Sequence, residues 1–251
     1  MSLTNDYFVK MVGISKRFGA IHALRDVDFD VRPDEVVALV GDNGAGKSTL
    51  VRILSGVYAP TKGEIFFQEE KVNISSPAVA EKLGIEAVHQ GFGLVDCMSI
   101  SRNVFLGQEP TVRKGFFFRF LDLNKMNQES DRILQTIGAR SQVNPKSEVG
   151  FLSGGEKQSI KIGRAVLFNA KLLIMDEPTM ALSVRERHNV LELVRDLKRQ
   201  GVAVIFISHD IHVVYDICDR VVILEMGSKI GDFPKHEVSV DQIVKIVRRE
   251  E

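Results

Sequence analysis

Gly41-Asp42-Asn43-Gly44-Ala45-Gly46-Lys47-Ser48-Thr49 carries the residue types a nucleotide triphosphate needs, in the order it needs them. Gly41, Gly46, Lys47 and Ser48 fall on the P-loop spacing. Glycines let the backbone turn tightly and aim successive N–H groups at phosphate oxygens. The lysine offers a flexible point charge to the β- and γ-phosphates, and the serine hydroxyl can ligand Mg²⁺. Two elements must hold such a loop. Val36–Val40 is continuously apolar, as a parallel strand buried on both faces requires. Residues 50–56 read as a helix closed by Gly56.

Three further segments carry chemistry. Leu152-Ser153-Gly154-Gly155-Glu156 contains the S-x-x-E capping box that starts a helix. Its glycines are expected to leave the helix N-terminus bare, so that N–H groups and the positive dipole end meet an anion directly. Lys157, Lys161 and Arg164 follow at helical spacing along one side. In Leu172-Leu173-Ile174-Met175-Asp176-Glu177 a hydrophobic strand ends in two acids, one placed for Mg²⁺ and one to polarise an attacking water. His209 follows the apolar run 205–207, at the strand end where open α/β sheets hold ligands. His22, His89, His188, His212 and His236 sit in no such context and receive no role.

The remaining pattern says what positions these residues. Val27, Phe29 and Val31 alternate with Asp26, Asp28 and Asp30, a strand with one wet face. With 7–14 and 64–67 it forms an antiparallel sheet beside the P-loop. Ser76 and Pro77 open a helix that Gly84 ends, and 85–89 is a short buried strand delivering Gln90. Residues 172–175, 202–207 and 221–224 read as parallel strands. Between Gln90 and Leu172 the chain turns polar and helix-like, including 123–137. Residues 240–247 form a short amphipathic helix that either packs on the core or lies on a membrane surface. The fold expected is α/β: a mainly parallel core sheet with an antiparallel β subdomain (approximately 4–95 and 171–251), and an inserted α-helical subdomain (approximately 96–170). Lys plus Arg and Asp plus Glu are 33 each, so the formal charge is zero, against a dedicated nucleic-acid binder. Cys97 and Cys218 alone offer no disulfide framework, and no apolar run reaches membrane-span length or forms a secretory signal, so a cytoplasmic location is expected.

Together these residues resemble the nucleotide-binding subunit of an ATP-binding cassette (ABC) transporter, over essentially the whole chain. Residues 41–48 match Walker A, 152–156 the signature, 172–176 Walker B, and His209 the switch histidine. Val88-His89-Gln90 is similar to the Q-loop, and Lys16-Arg17-Phe18-Gly19 to the A-loop. The resemblance implies ATP and Mg²⁺ as ligands. It implies Phe18 stacked on adenine (the alternative being ordinary core), Ser48, Gln90 and Asp176 on the metal, and Lys47, Glu177 and His209 in catalysis. It places Ser153, Gly154, Gly155 and Glu156 on the γ-phosphate of a second copy, in a head-to-tail homodimer.

Residues 41–46, 103–107 and 175–179 resemble the ribose, xylose and fructose importer branch in its single-cassette form. That implies permease subunits docked near Gln90, a sugar-binding protein in the same system, and a peripheral position on the inner face of the cell membrane. One departure stands out. The D-loop reads Ala181-Leu182-Ser183, with serine where the family usually has aspartate. Gly115-Phe116-Phe117-Phe118-Arg119-Phe120 reads either as subdomain core or as an apolar surface for the permease. Two rivals are a non-transport ABC ATPase in assembly or repair, and a nucleotide-binding regulator without turnover, which Ser183 would favour.

Overall fold

Continuous burial dictates the central sheet. The computed structural model describes residues 7–88, 93–114, 118–136 and 143–249. In chain order the strands are β1 Val9–Phe18, β2 Ile21–Val31, β3 Val36–Val40, β4 Lys62–Phe67, β5 Glu70–Val72, β6 Ile85–Val88, β7 Thr111–Lys114, β8 Phe118–Leu121, β9 Leu172–Asp176, β10 Ala203–Ile207, β11 Arg220–Glu225 and β12 Ser228–Pro234. The helices are α1 Lys47–Leu54, α2 Pro77–Lys82, α3 Ile100–Val104, α4 Leu123–Thr136, α5 Gly154–Leu167, α6 Val184–Arg199, α7 Ile211–Ile217 and α8 Val240–Arg248.

Two compact units result, one of residues 1–90, 170–178 and 194–251, the other of 91–169 and 179–193. In the first unit a six-stranded sheet runs β12-β11-β3-β10-β9-β6, parallel except for the antiparallel edge strand β12. Every residue of β3 and of β10 is buried, which suits strands covered on both faces. A second sheet, β2-β1-β4-β5, is antiparallel and alternates as the sequence implies: Val27, Phe29 and Val31 are buried. One hydrophobic cluster joins Ile14 and Phe29 of this sheet to Leu39, Ile174 and Ile205 of the other and to Leu50 of α1.

The aspartate face is less wet than its alternation suggests. Arg220, at the start of β11 and only 7% exposed, donates to Glu35 at 2.7 and 3.2 Å and to Asp232 at 2.8 Å. It also reaches the carbonyl of Asp30 at 2.7 Å and its carboxylate at 3.1 Å. Burial raises the Asp30 carboxyl above its ordinary value despite the nearby guanidinium. This buried cation ties the antiparallel sheet to the parallel one.

The second unit is helical around Ile100, Val104, Met126, Ile133, Val149 and Ile160. Asn103, fully buried, knits it: its Nδ2 donates to the carbonyls of Val95, Met98 and Ser99, and its Oδ1 accepts the Val95 N–H at 2.6 Å. A hairpin, β7–β8, interrupts the helices. Phe118 and Phe120 lie on it 66% and 51% exposed, so for these two the core alternative is wrong. Gly115, Phe116 and Phe117 lie outside the described residues, as do His89 and Gln90. A short hairpin has no second layer to cover its apolar face, which is why these rings stay in water.

Candidate functional site

Parallel register gathers the phosphate site. Ile207 of β10 lies beside Leu39 of β3 on one side and beside Asp176 of β9 on the other. The loop 41–46, Ser208-His209 and Glu177 therefore leave three adjacent strands at the same, C-terminal edge. Gly41 has φ +145°, and a Cβ there would lie 2.1 Å from the Leu224 carbonyl of β11. Gly46, at φ +104°, would push a Cβ within 2.8 Å of the Ala23 carbonyl. Both positions exclude side chains, which is what presses the loop against the sheet and starts α1 at Lys47.

Lys47 is 9% exposed, and its ammonium donates to the carbonyls of Gly41 at 2.7 Å and Asp42 at 3.0 Å. An ammonium carries three N–H groups, so one further donor remains for an anion. Burial lowers its pKa, while the charges of Glu177, Asp176 and Asp42 pull it back up. An incoming phosphate would reinforce the charged form. Asn43 donates its N–H to the Asp42 carboxylate at 2.8 Å, closing the loop's first turn.

Glu177 sits one residue beyond β9 in the left-handed region, at φ 52°, a conformation a glutamate adopts only when its surroundings impose it. Its N–H donates to the Ile207 carbonyl at 3.0 Å, which anchors it to β10. His209 Nδ1 lies 3.0 Å from Glu177 Oε2. That buried oxygen accepts no hydrogen bond among the described residues. A buried acceptor without a donor at the mouth of a P-loop is suited to hold a water.

Phe18, at the end of β1, is 41% exposed and meets Tyr58 edge-on at 5.2 Å, with the Lys16 ammonium 5.1 Å above the Phe18 ring. It is no core residue. Tyr58 as its partner had no signal in the sequence. A cleft of ≈ 1240 Å³ in the same unit is lined by residues 42–45, His209, Met226, Ile230, Val244 and Val247 among others, so α8 packs beside the P-loop rather than away from it.

In the second unit the capping box forms as the spacing requires. Ser153 Oγ accepts the Glu156 N–H at 3.3 Å, and Glu156 accepts the Ser153 N–H at 2.9 Å. The helix end is not bare, however. The Gly155 N–H donates to Glu186 Oε1 at 3.1 Å, a carboxylate the sequence reading passed over. Lys157 pairs with Asp96 at 2.8 Å, and Arg164 donates to the Leu106 carbonyl at 2.8 Å, so both serve the subdomain's own fold. Lys161 has its pKa lowered by burial and then by Lys157.

The family model for the ABC transporter matches residues 24–180, which takes in every element of the phosphate site up to Glu177 and the whole of α5. The chain belongs to the ABC transporter family. This ABC cassette is 42% identical over 235 residues to the xylose/arabinose import ATP-binding protein XylG of Sulfolobus acidocaldarius, covering 93% of this chain and 91% of that one. It is 41% identical to the ribose import ATP-binding protein RbsA of Caldanaerobacter subterraneus over 95% of its own length but 47% of that protein's. It thus spans about half the length of such ribose relatives. Its fold matches a crystal structure of a nucleotide-free ATP-binding cassette from an ABC transporter, with a TM-score of 0.80 at 24% identity over 97% of this chain and 96% of that one. No helix among the described residues of the cassette is long and apolar enough to cross a membrane.

Proposed function

We propose that this cassette binds and hydrolyses ATP to drive an importer for a monosaccharide. The observation that carries the catalytic part is the meeting of Lys47, Asp176, Glu177 and His209 at one sheet edge, with a buried Glu177 oxygen that accepts no hydrogen bond among the described residues. Lys47 and the loop N–H groups hold the β- and γ-phosphates. Glu177 Oε2 takes a hydrogen bond from the attacking water, orients it, and accepts its proton as the new bond from water oxygen to γ-phosphorus forms and the bond from γ-phosphorus to the bridging oxygen breaks, with ADP as the leaving group. His209 contacts the γ-phosphate, and Phe18 offers its ring to adenine.

Mg²⁺, when bound, spreads phosphate charge; the hard oxygen ligands that suit it are the Ser48 hydroxyl and the Asp176 carboxylate, with Gln90 joining them. Ser153, Gly154, Gly155 and Glu156 present a capped helix end to the γ-phosphate held by a second copy, so two sites form at one twofold interface. Permease subunits dock near Gln90 at the inner face of the membrane, and a sugar-binding protein supplies the substrate. The names of the relatives support import of a pentose.

Glu177→Gln tests the catalytic reading. Removing the base should lower phosphate release by about 10²–10⁴-fold, while ATP affinity at the P-loop stays within twofold. If the variant releases phosphate at the wild-type rate, Glu177 is not the base.

A further inference from the structure

Glu186, in the first turn of α6, reaches a helix other than its own. Its Oε2 accepts the Ser183 hydroxyl at 2.8 Å and the Ser183 N–H at 3.0 Å, and its own N–H returns to Ser183 Oγ at 3.4 Å. Its Oε1 accepts the Gly155 N–H at 3.1 Å. Packing at this point is close: a Cβ on Gly155 would lie 2.6 Å from Glu186 Cγ and 2.7 Å from its Cβ. Glycine at 155 therefore admits this side chain as well as any phosphate. The donated hydrogen bonds, the Ser183 hydroxyl first, hold the Glu186 carboxyl down to about 2, so it carries a full negative charge at neutral pH. That charge rests on the Gly155 N–H, at the positive dipole end that would otherwise receive a phosphate.

Ser183 has a role here that aspartate could not fill. A hydroxyl donates to Oε2, whereas a carboxylate only accepts and would repel it. The hydroxyl at the D-loop position joins the Ser183 and Gly155 N–H groups in holding Glu186 in place.

We propose that Glu186 is a built-in anion at the signature helix, which the γ-phosphate on the partner's P-loop must displace, so that Glu186 sets the ATP concentration at which two copies close. This rests on the shared-site reading above. Two like charges cannot both sit on one N–H, so closing the dimer carries the cost of moving the first.

The test uses the whole chain with Glu177→Gln to stop turnover, and measures the dimer dissociation constant in saturating Mg-ATP by sedimentation equilibrium. Glu186→Gln keeps the shape and one acceptor but loses the charge. It should dimerise about fivefold more tightly, the weight of one charge at a helix end. Its ATP affinity as a monomer should be unchanged, and its melting temperature should fall by no more than about 4 °C, because the same charge also stabilises the helix end. Glu186→Ala, which also removes the packing atoms, should move the dimer constant in the same direction. Dimerisation that is unchanged or weaker in Glu186→Gln overturns the latch alone. A parent chain that stays monomeric in ATP overturns the shared site and the latch together.

Discussion

Replacing Arg220 by methionine tests how the two sheets of the first unit are joined. The guanidinium makes hydrogen bonds to Glu35, Asp30 and Asp232, at 2.7 to 3.2 Å. Methionine fills much of the same volume but supplies no donor, so three acids are left facing each other. Glu35 is itself buried and keeps one other partner, the Arg32 N–H at 2.8 Å; Asp232 keeps Lys229 at 3.0 Å. Removing one partner of a buried ionic cluster costs about 3–5 kcal/mol. Partial exposure of Asp30 and Asp232 favours the lower end of that range. For a chain of this size each kcal/mol moves the melting temperature by about 2–4 °C, so the variant should melt about 6–12 °C lower near pH 7.5.

The pH dependence gives a second check on the same cluster. Asp30 already has its pKa raised by burial, so the fold prefers its protonated form and gains stability as pH falls toward the unfolded value. Without Arg220, whose charge holds it down, the Asp30 carboxyl should shift further upward, and the deficit should shrink between pH 7.5 and pH 5. Differential scanning calorimetry at both pH values reads this directly. A loss under 2 °C, or a deficit that grows on acidification, would refute the reasoning.

Two further substitutions probe local claims. Gly41→Ala forces a Cβ to within 2.1 Å of the Leu224 carbonyl, whereas Gly44, at φ +80°, has no atom within 4 Å of that position. Gly41→Ala should therefore lose more than the ~1 kcal/mol of backbone strain expected for Gly44→Ala, by urea titration; equal losses would contradict the close approach. Phe118→Ser and Phe120→Ser remove exposed rings, so each should leave stability within about 0.5 kcal/mol. A fall of several degrees in either would mean that the hairpin is packed after all.

Much of the first unit was legible because its signals are strong and local. Val36–Val40 and Ala203–Ile207 are apolar without interruption, and such runs have few places to go except a doubly covered sheet. Edge elements were not legible. Strand β12 alternates weakly and gains its register only from β11. The hairpin β7–β8 mixes arginines and phenylalanines with no buried face to give it a period. The Arg220 cluster is invisible in sequence because its partners lie 190, 185 and 12 residues away.

Glu186 is a different case, since its signal was present. Ser183 and Glu186 repeat the S-x-x-E pattern of Ser153 and Glu156, so the serine at the D-loop position marks a cap as well as a missing aspartate. What no local pattern could reveal is that this second cap also grips the first helix through Gly155. A capping pattern describes one helix end, and a carboxylate shared between two of them has no sequence period.

The dependence of ATP hydrolysis on protein concentration tests the central claim most directly. If each site is completed by the signature of a second copy, specific activity should fall toward zero on dilution and rise steeply with concentration before levelling. Phosphate release per molecule that stays constant across a hundredfold dilution, with the chain monomeric throughout by light scattering, would contradict it.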